Sequence, residues 1–112
     1  MRTLLPLLGE LGFDAIQGFA PSPQGDFTIT ELRGAVGGKM RLWGGIPATI
    51  LCEGFSEEYV RHYVLDELKA ISPGDGFIMA IGDMLPPNGD IHRIGLIETL
   101  LEKYGRCPLS LR

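Results

Sequence analysis

The chain contains few of the residues that most often carry metal binding or nucleophilic catalysis. It has two histidines and two cysteines among 112 residues. Cys52 and Cys107 are far apart and have no His or Cys neighbour at metal-ligand spacing, so we expect neither a zinc site nor a disulfide. His62 and His92 lack a carboxylate or Cys partner at catalytic or metal spacing. We therefore expect all four side chains to have packing or surface roles, and we expect no metal and no cofactor.

Strong charge and long apolar runs are also missing. The net charge is −4 and no Lys/Arg cluster occurs, so the chain has no electrostatic footprint for nucleic acid. No apolar run approaches the roughly 18 residues that span a bilayer. The Leu-rich start is interrupted by Pro6 and lacks a cleavage site of small residues, which is unlike a signal peptide. We expect a cytoplasmic protein without membrane or nucleic-acid partners.

Alternating helical and strand patterns run through the chain. Apolar periodicity predicts helices over residues 3–11, 28–36, 56–71 and 90–104, and strands over residues 14–19, 40–43 and 77–81. Strands that alternate with helices predict βαβ crossovers and a parallel sheet. Three strands preceded by an orphan helix do not make a covered sheet. The pattern therefore predicts a segment of a larger α/β protein.

Local signals support several of these boundaries. Thr28 and Glu31 have the spacing of a capping box, and Ser56 and Asp90 are predicted to cap the two later helices. The second strand is expected to break at the double glycine after Trp43. The strand over residues 77–81 is the most apolar, which predicts burial on both faces.

The loops that follow the three strands are candidates for a functional site. Residues 19–27, 44–54 and 82–89 are longer or richer in Gly and Pro than the turns at the opposite ends of the strands. In parallel α/β proteins, the loops after the carboxyl ends of the strands form the active site. We therefore expect a site at this end of the sheet.

Four positions in these loops stand out, and each has an alternative interpretation. Asp83 follows the most apolar strand, where a carboxylate would meet apolar walls; it would otherwise be a turn Asp that accepts from local N–H groups. Asp26 would be functional or would brace its loop. Trp43 would wall a ligand or pack in the core. Gly44 and Gly45 would allow a ligand close to the backbone or only permit a sharp turn.

Two motifs resemble the uroporphyrinogen decarboxylase superfamily. They are LWGGIP at residues 42–47 and GFIMAIGDMLPP at residues 76–87. The segment DAI at residues 14–16, the loop PSPQGD at residues 21–26 and the closing EKYG at residues 102–105 are similar to it as well. The resemblance covers residues 4–109, and the order and spacing of the segments carry it.

The resemblance implies a fold, an activity class and a set of site residues. The fold would be a partial (β/α)₈ TIM barrel, in which residues 1–112 supply a helix and the last three βα units with parallel strands. The class would be tetrapyrrole carboxyl-lyases; the alternatives are corrinoid-dependent methyl transfer and a non-catalytic fragment or subunit. Asp83 would be the catalytic residue. The residues that would bind the small-molecule substrate are Ser22, Asp26, Trp43, Gly44, Gly45 and Met84.

The chain also departs from that family. The decarboxylases have His after the glycine that ends the last strand, and the zinc methyltransferases have a Cys ligand there, whereas this chain has Asp83. The arginines and the aspartate that hold the porphyrinogen come from early strands that this chain lacks. We therefore expect the isolated chain to be inactive and to need a missing N-terminal barrel portion or a homo-oligomer.

Overall fold

The computed structural model describes residues 2–72 and 74–106. Its α-helices are α1 (Leu5–Leu8), α2 (Ile29–Val36), α3 (Glu57–Ile71) and α4 (His92–Tyr104), and its strands are β1 (Ala15–Phe19), β2 (Arg41–Ile46) and β3 (Phe77–Ile81). Short 3₁₀ helices span Arg2–Leu4 and Ala48–Leu51. Cys52 is a free thiol and is half-buried; the expectation for Cys107 concerns a residue outside the described part.

The predicted parallel sheet is confirmed. Its strand order is β1-β2-β3, and both pairs of neighbours are parallel. Helices α1, α2, α3 and α4 contact one another in chain order, and they cover the same face of the sheet. The chain is therefore an α/β structure with an open, three-stranded parallel sheet. Within the described residues, no helix is long and apolar enough to cross a membrane.

The core lies between the sheet and the helices. Leu42 of β2 packs with β1, α1 and α2, whereas Ile46 of the same strand packs with α3 and α4. Both side chains are fully buried. The central strand therefore joins the two halves of the core.

The opposite face of the sheet has no helix over it in the described part of the chain. Gln17, Trp43 and Ile78 form one row across β1, β2 and β3, because the strand register places them side by side. Trp43 is 41% exposed and Ile78 is 52% exposed. We call this surface the uncovered face.

Two sequence-based boundaries and one expectation about burial need correction. The predicted helix over residues 3–11 is an α-helix only at Leu5–Leu8, because Pro6 has no N–H and must lie in the first turn. The second strand does not break at Gly44 but continues to Ile46. β3 is not buried on both faces, since it has the uncovered face on one side.

The predicted helix starts are mostly confirmed. Glu31 N donates to Thr28 Oγ1 (3.1 Å) and Thr28 N donates to Glu31 Oε1 (3.3 Å), which completes the capping box. Tyr59 N donates to Ser56 Oγ (3.0 Å) at the start of α3. Asp90 was predicted to be the N-cap of the last helix, but α4 begins at His92 and its N-cap is Ile91. Asp90 lies one residue before that N-cap, and its Oδ1 accepts a hydrogen bond from His92 N (2.9 Å).

The capping box predicts a measurable loss when Thr28 is replaced. Thr28→Ala should lower the free energy of unfolding by about 1 kcal/mol, because an N–H at the start of α2 loses its acceptor. Thr30→Ala, an exposed change in the same turn, is the matched control and should change stability by less than about 0.5 kcal/mol. Urea unfolding at fixed protein concentration measures both, and equal effects would contradict a specific capping role.

Candidate functional site

The three loops that follow the strands meet at one end of the sheet, as predicted. Thr49 N in the second loop donates to Gln24 Oε1 in the first loop (3.3 Å). Asp90 N at the end of the third loop donates to Leu51 O (2.8 Å). The loops therefore form one connected rim at the carboxyl ends of the strands.

Arg93 braces this rim from beneath. It is a buried residue of α4, and its Nη1 donates to Ile50 O (3.0 Å) and Cys52 O (2.8 Å). Sequence reasoning missed this residue. The sequence holds one indication of its burial. Arg93 precedes Ile97 by four residues and Leu100 by seven, which is the spacing of the buried stripe of α4.

A cavity of about 370 Å³ lies at the carboxyl end of the uncovered face, and we call it the mouth cavity. Its lining residues are Gln17, Gly18, Trp43, Ala80, Ile81, Gly82, Asp83 and Met84. Three of the candidate site residues, Trp43, Asp83 and Met84, therefore lie together. Trp43 and Ala80 form the floor from β2 and β3, while Asp83 and Met84 come from the third loop.

Asp83 is not the buried carboxylate that its position after β3 predicts. The residue is exposed, and its Oδ1 accepts a hydrogen bond from Met84 N at 2.7 Å. This is the local turn geometry of the alternative interpretation. The expectation of apolar walls is wrong because β3 is itself half-exposed, so the residue that follows it reaches solvent.

Ser22 and Asp26 do not lie at the mouth cavity. Ser22 lines a separate groove between α2 and α3, and its carbonyl oxygen accepts from the Tyr63 hydroxyl at 2.9 Å. Asp26 Oδ1 accepts from Arg2 N at 3.0 Å, and this hydrogen bond lowers the pKa of the Asp26 carboxyl. The geometry fits the loop-bracing interpretation of Asp26.

Gly44 and Gly45 are buried within β2 and keep their register with β3. Their φ angles are +154° and +104°. A Cβ at Gly45 would lie 1.9 Å from Glu67 Oε1, so the bare Cα makes room for a carboxyl group of α3. The close approach to the backbone that was predicted for a ligand is therefore made at Gly45 by the side chain of Glu67.

Glu67 is the functional group that sequence reasoning missed most clearly. It is only 4% exposed, and its Oε1 has no hydrogen-bond partner among the described residues. Burial raises the pKa of the carboxyl to about 8, although the nearby Tyr63 hydroxyl opposes part of the rise. The carboxyl group is therefore largely protonated at pH 7. The sequence holds one indication of this burial. Glu67 follows Val60 by seven residues and Val64 by three, which is the spacing of the buried stripe of α3.

The remaining candidates for metal or acid–base chemistry lie apart. His62 and His92 are exposed, and His62 Nε2 is 3.6 Å from Glu58 Oε1 on the outer face of α3. In the described part of the chain, no group of three or more His, Cys, Asp or Glu side chains is placed to hold a metal ion. No protein-family model matches the chain, and no curated protein is significantly similar to it.

The burial of Glu67 predicts a pH-dependent stability. Its folded-state pKa of about 8 lies above the ordinary 4.5. The contribution of Glu67 to the free energy of unfolding is therefore complete below about pH 4.5. It is lost as the pH rises towards 8, by at most about 1.4 kcal/mol per pH unit. Glu67→Gln keeps the size and shape of the side chain but removes the group that ionises. It should therefore flatten the dependence of the unfolding free energy on pH in this range.

The matched control for that variant is Asp66→Asn, which changes the adjacent exposed acid. Unfolding free energies between pH 5 and pH 9 measure the slopes of all three proteins. Asp66→Asn should keep the slope of the unaltered protein, and a Glu67→Gln variant with that same slope would show that Glu67 is ionised in the folded chain.

Proposed function

We propose that the chain is part of a uroporphyrinogen decarboxylase-like enzyme that acts on a small molecule bound at the mouth cavity. The observation that carries this proposal is the meeting of Trp43, Asp83 and Met84 in one cavity at the carboxyl end of a parallel sheet. In barrel enzymes of parallel βα units, this is the end where substrates bind. The motifs around these residues are the ones that resemble the superfamily.

The proposed context is a (β/α)₈ barrel in the cytoplasm, to which residues 1–112 would give the last three βα units. Two features support it. The strand order follows the chain order, and the four α-helices of the described part lie on one face, so the sheet does not reverse its winding there. The uncovered face, with its row of Gln17, Trp43 and Ile78, would then line the barrel interior.

The chemistry of the mouth cavity favours substrates with few carboxylates. An ionised Asp83 only accepts hydrogen bonds, so it repels an anionic group that a His would hold. Among the described residues that line the cavity, there is no Lys, Arg or His to pair with a carboxylate. We therefore expect weak decarboxylation of porphyrinogens, which carry several carboxylates, from a protein with this carboxyl-lyase scaffold.

Binding of a porphyrin gives a direct test, because Trp43 is the only tryptophan. Uroporphyrin should quench its fluorescence weakly but saturably. Asp83→Asn and Asp83→His should bind about fivefold more tightly, since one like charge is worth about 1 kcal/mol at contact distance in water. Glu53→Gln removes an exposed acid outside the cavity lining and is the matched control. Free N-acetyltryptophanamide corrects for light absorption.

The same titration separates the alternative functions. Saturable quenching by hydroxocobalamin, with no response to porphyrin, would favour corrinoid-dependent methyl transfer. Equal quenching in the unaltered protein, Asp83→Asn and Glu53→Gln would contradict the charge argument. No saturable response to either probe would contradict a ligand site at Trp43 and would leave the non-catalytic subunit as the better account.

A further inference from the structure

The groove between α2 and α3 lies on the helix side of the sheet, away from the mouth cavity. Its volume is about 330 Å³, and Ser22 of the first loop and Tyr63 and Glu67 of α3 are among the residues that line it. The groove is formed by parts of the chain that the structure describes, so it does not depend on any segment outside them. The proposed function makes no use of it.

Tyr63 connects the buried carboxyl group of Glu67 to the first loop. The two residues are four apart in α3, which places their side chains on one face of the helix. The Tyr63 hydroxyl donates to Ser22 O at 2.9 Å, and it also forms a hydrogen bond with the Glu67 carboxyl group. The three groups therefore form one hydrogen-bonded chain from α3 to the first loop.

The number of hydrogens in this chain decides its direction. A tyrosine hydroxyl carries one hydrogen, so while Tyr63 donates to Ser22 O it can only accept from Glu67. A carboxyl group donates only when it is protonated. Burial against Gly45, with 4% of Glu67 exposed, also favours the protonated form. The observed arrangement therefore belongs to a neutral Glu67.

We propose that Glu67 and Tyr63 form a latch that holds the first loop only while Glu67 is protonated. Without its proton, the carboxylate only accepts, and it competes with Ser22 O for the one hydrogen of Tyr63. The hydrogen bond goes to the carboxylate, because a charged acceptor makes it about twice as strong as a neutral carbonyl does. The first loop, which belongs to the rim of the mouth cavity, then loses its hydrogen bond to α3.

The groups packed around Glu67 leave its proton as the one that controls the latch. In α3, burial and the nearby Glu67 raise the pKa of Tyr63, so that the hydroxyl keeps its hydrogen, and Asp66 lines the groove from its exposed side. Gly45 of β2 and Phe77 of β3 are the uncharged neighbours from the sheet. The described residues of α2 and of the first loop that line the groove carry no titratable side chain. Because burial raises the pKa of the Glu67 carboxyl to about 8, the latch should open as the pH rises through that value.

Carbon-13 NMR of the full chain tests the latch without any substitution. The carboxyl carbon of Glu67, the Cζ carbon of Tyr63 and the carbonyl carbon of Ser22 should all shift between pH 6 and pH 10, with one common midpoint near pH 8. The Ser22 carbonyl should change from the shift of a hydrogen-bonded group to that of a free one. A Ser22 signal that stays constant while Glu67 titrates overturns the proposal, and so does a Glu67 midpoint near its ordinary value.

Three variants assign the coupling to the Tyr63 hydroxyl. In Tyr63→Phe, Glu67 should still titrate, but the Ser22 carbonyl should no longer follow it. Glu67→Gln gives Tyr63 a permanent N–H donor and should hold the Ser22 carbonyl at its low-pH shift throughout. Tyr59→Phe, which changes the tyrosine one turn earlier in α3, is the matched control and should keep the common midpoint. A Ser22 signal that still follows Glu67 in Tyr63→Phe would contradict the latch, and the titration of the unaltered chain decides the matter where a variant does not fold.

Discussion

The Glu67 carboxyl group of α3 packs against the bare Cα of Gly45 in the central strand, at a point where no side chain would fit. Gly45 belongs to β2, which pairs with both other strands, and Glu67 belongs to α3, which contacts both α2 and α4. A Cβ at Gly45 would overlap Glu67 Oε1. The close approach of α3 to the sheet at this point therefore requires a glycine at position 45, and it brings there a carboxyl group whose pKa burial raises to about 8.

The mouth cavity lies on the other face of the same strand. Trp43 precedes the two glycines in β2 and stands on the uncovered face, while Glu67 supports the same strand from the helix side. The loops around the cavity are joined by backbone hydrogen bonds and by Arg93, which holds two carbonyl groups of the second loop. Exposed residues of these loops, such as Asp83, are thus held in place by hydrogen bonds that the loops make with one another and with Arg93.

Local chemistry made much of the fold predictable. The Thr28–Glu31 box, the Ser56 cap and the strand pattern of residues 77–81 each act over a few residues, and the structure confirms them. The failures come from contacts between distant residues. The break expected at Gly44 and Gly45 does not occur, because positive φ angles let these residues stay in the ladder. The burial of Glu67 could not be predicted, because a carboxylate in a helix is usually solvated. It is buried here only because Gly45, which belongs to a different element, leaves space for it.

A double-mutant cycle between Gly45→Ala and Glu67→Ala tests the central contact most directly. In the unaltered background, Gly45→Ala must displace the carboxyl group and adopt a strained φ of +104°. In the Glu67→Ala background the strain remains, together with a tight contact between the new Cβ and Phe77 Cζ (3.0 Å). The two changes should therefore be coupled by at least about 1 kcal/mol in the free energy of unfolding, with Gly45→Ala less costly when Glu67 is absent. Additive effects within about 0.5 kcal/mol would contradict the contact.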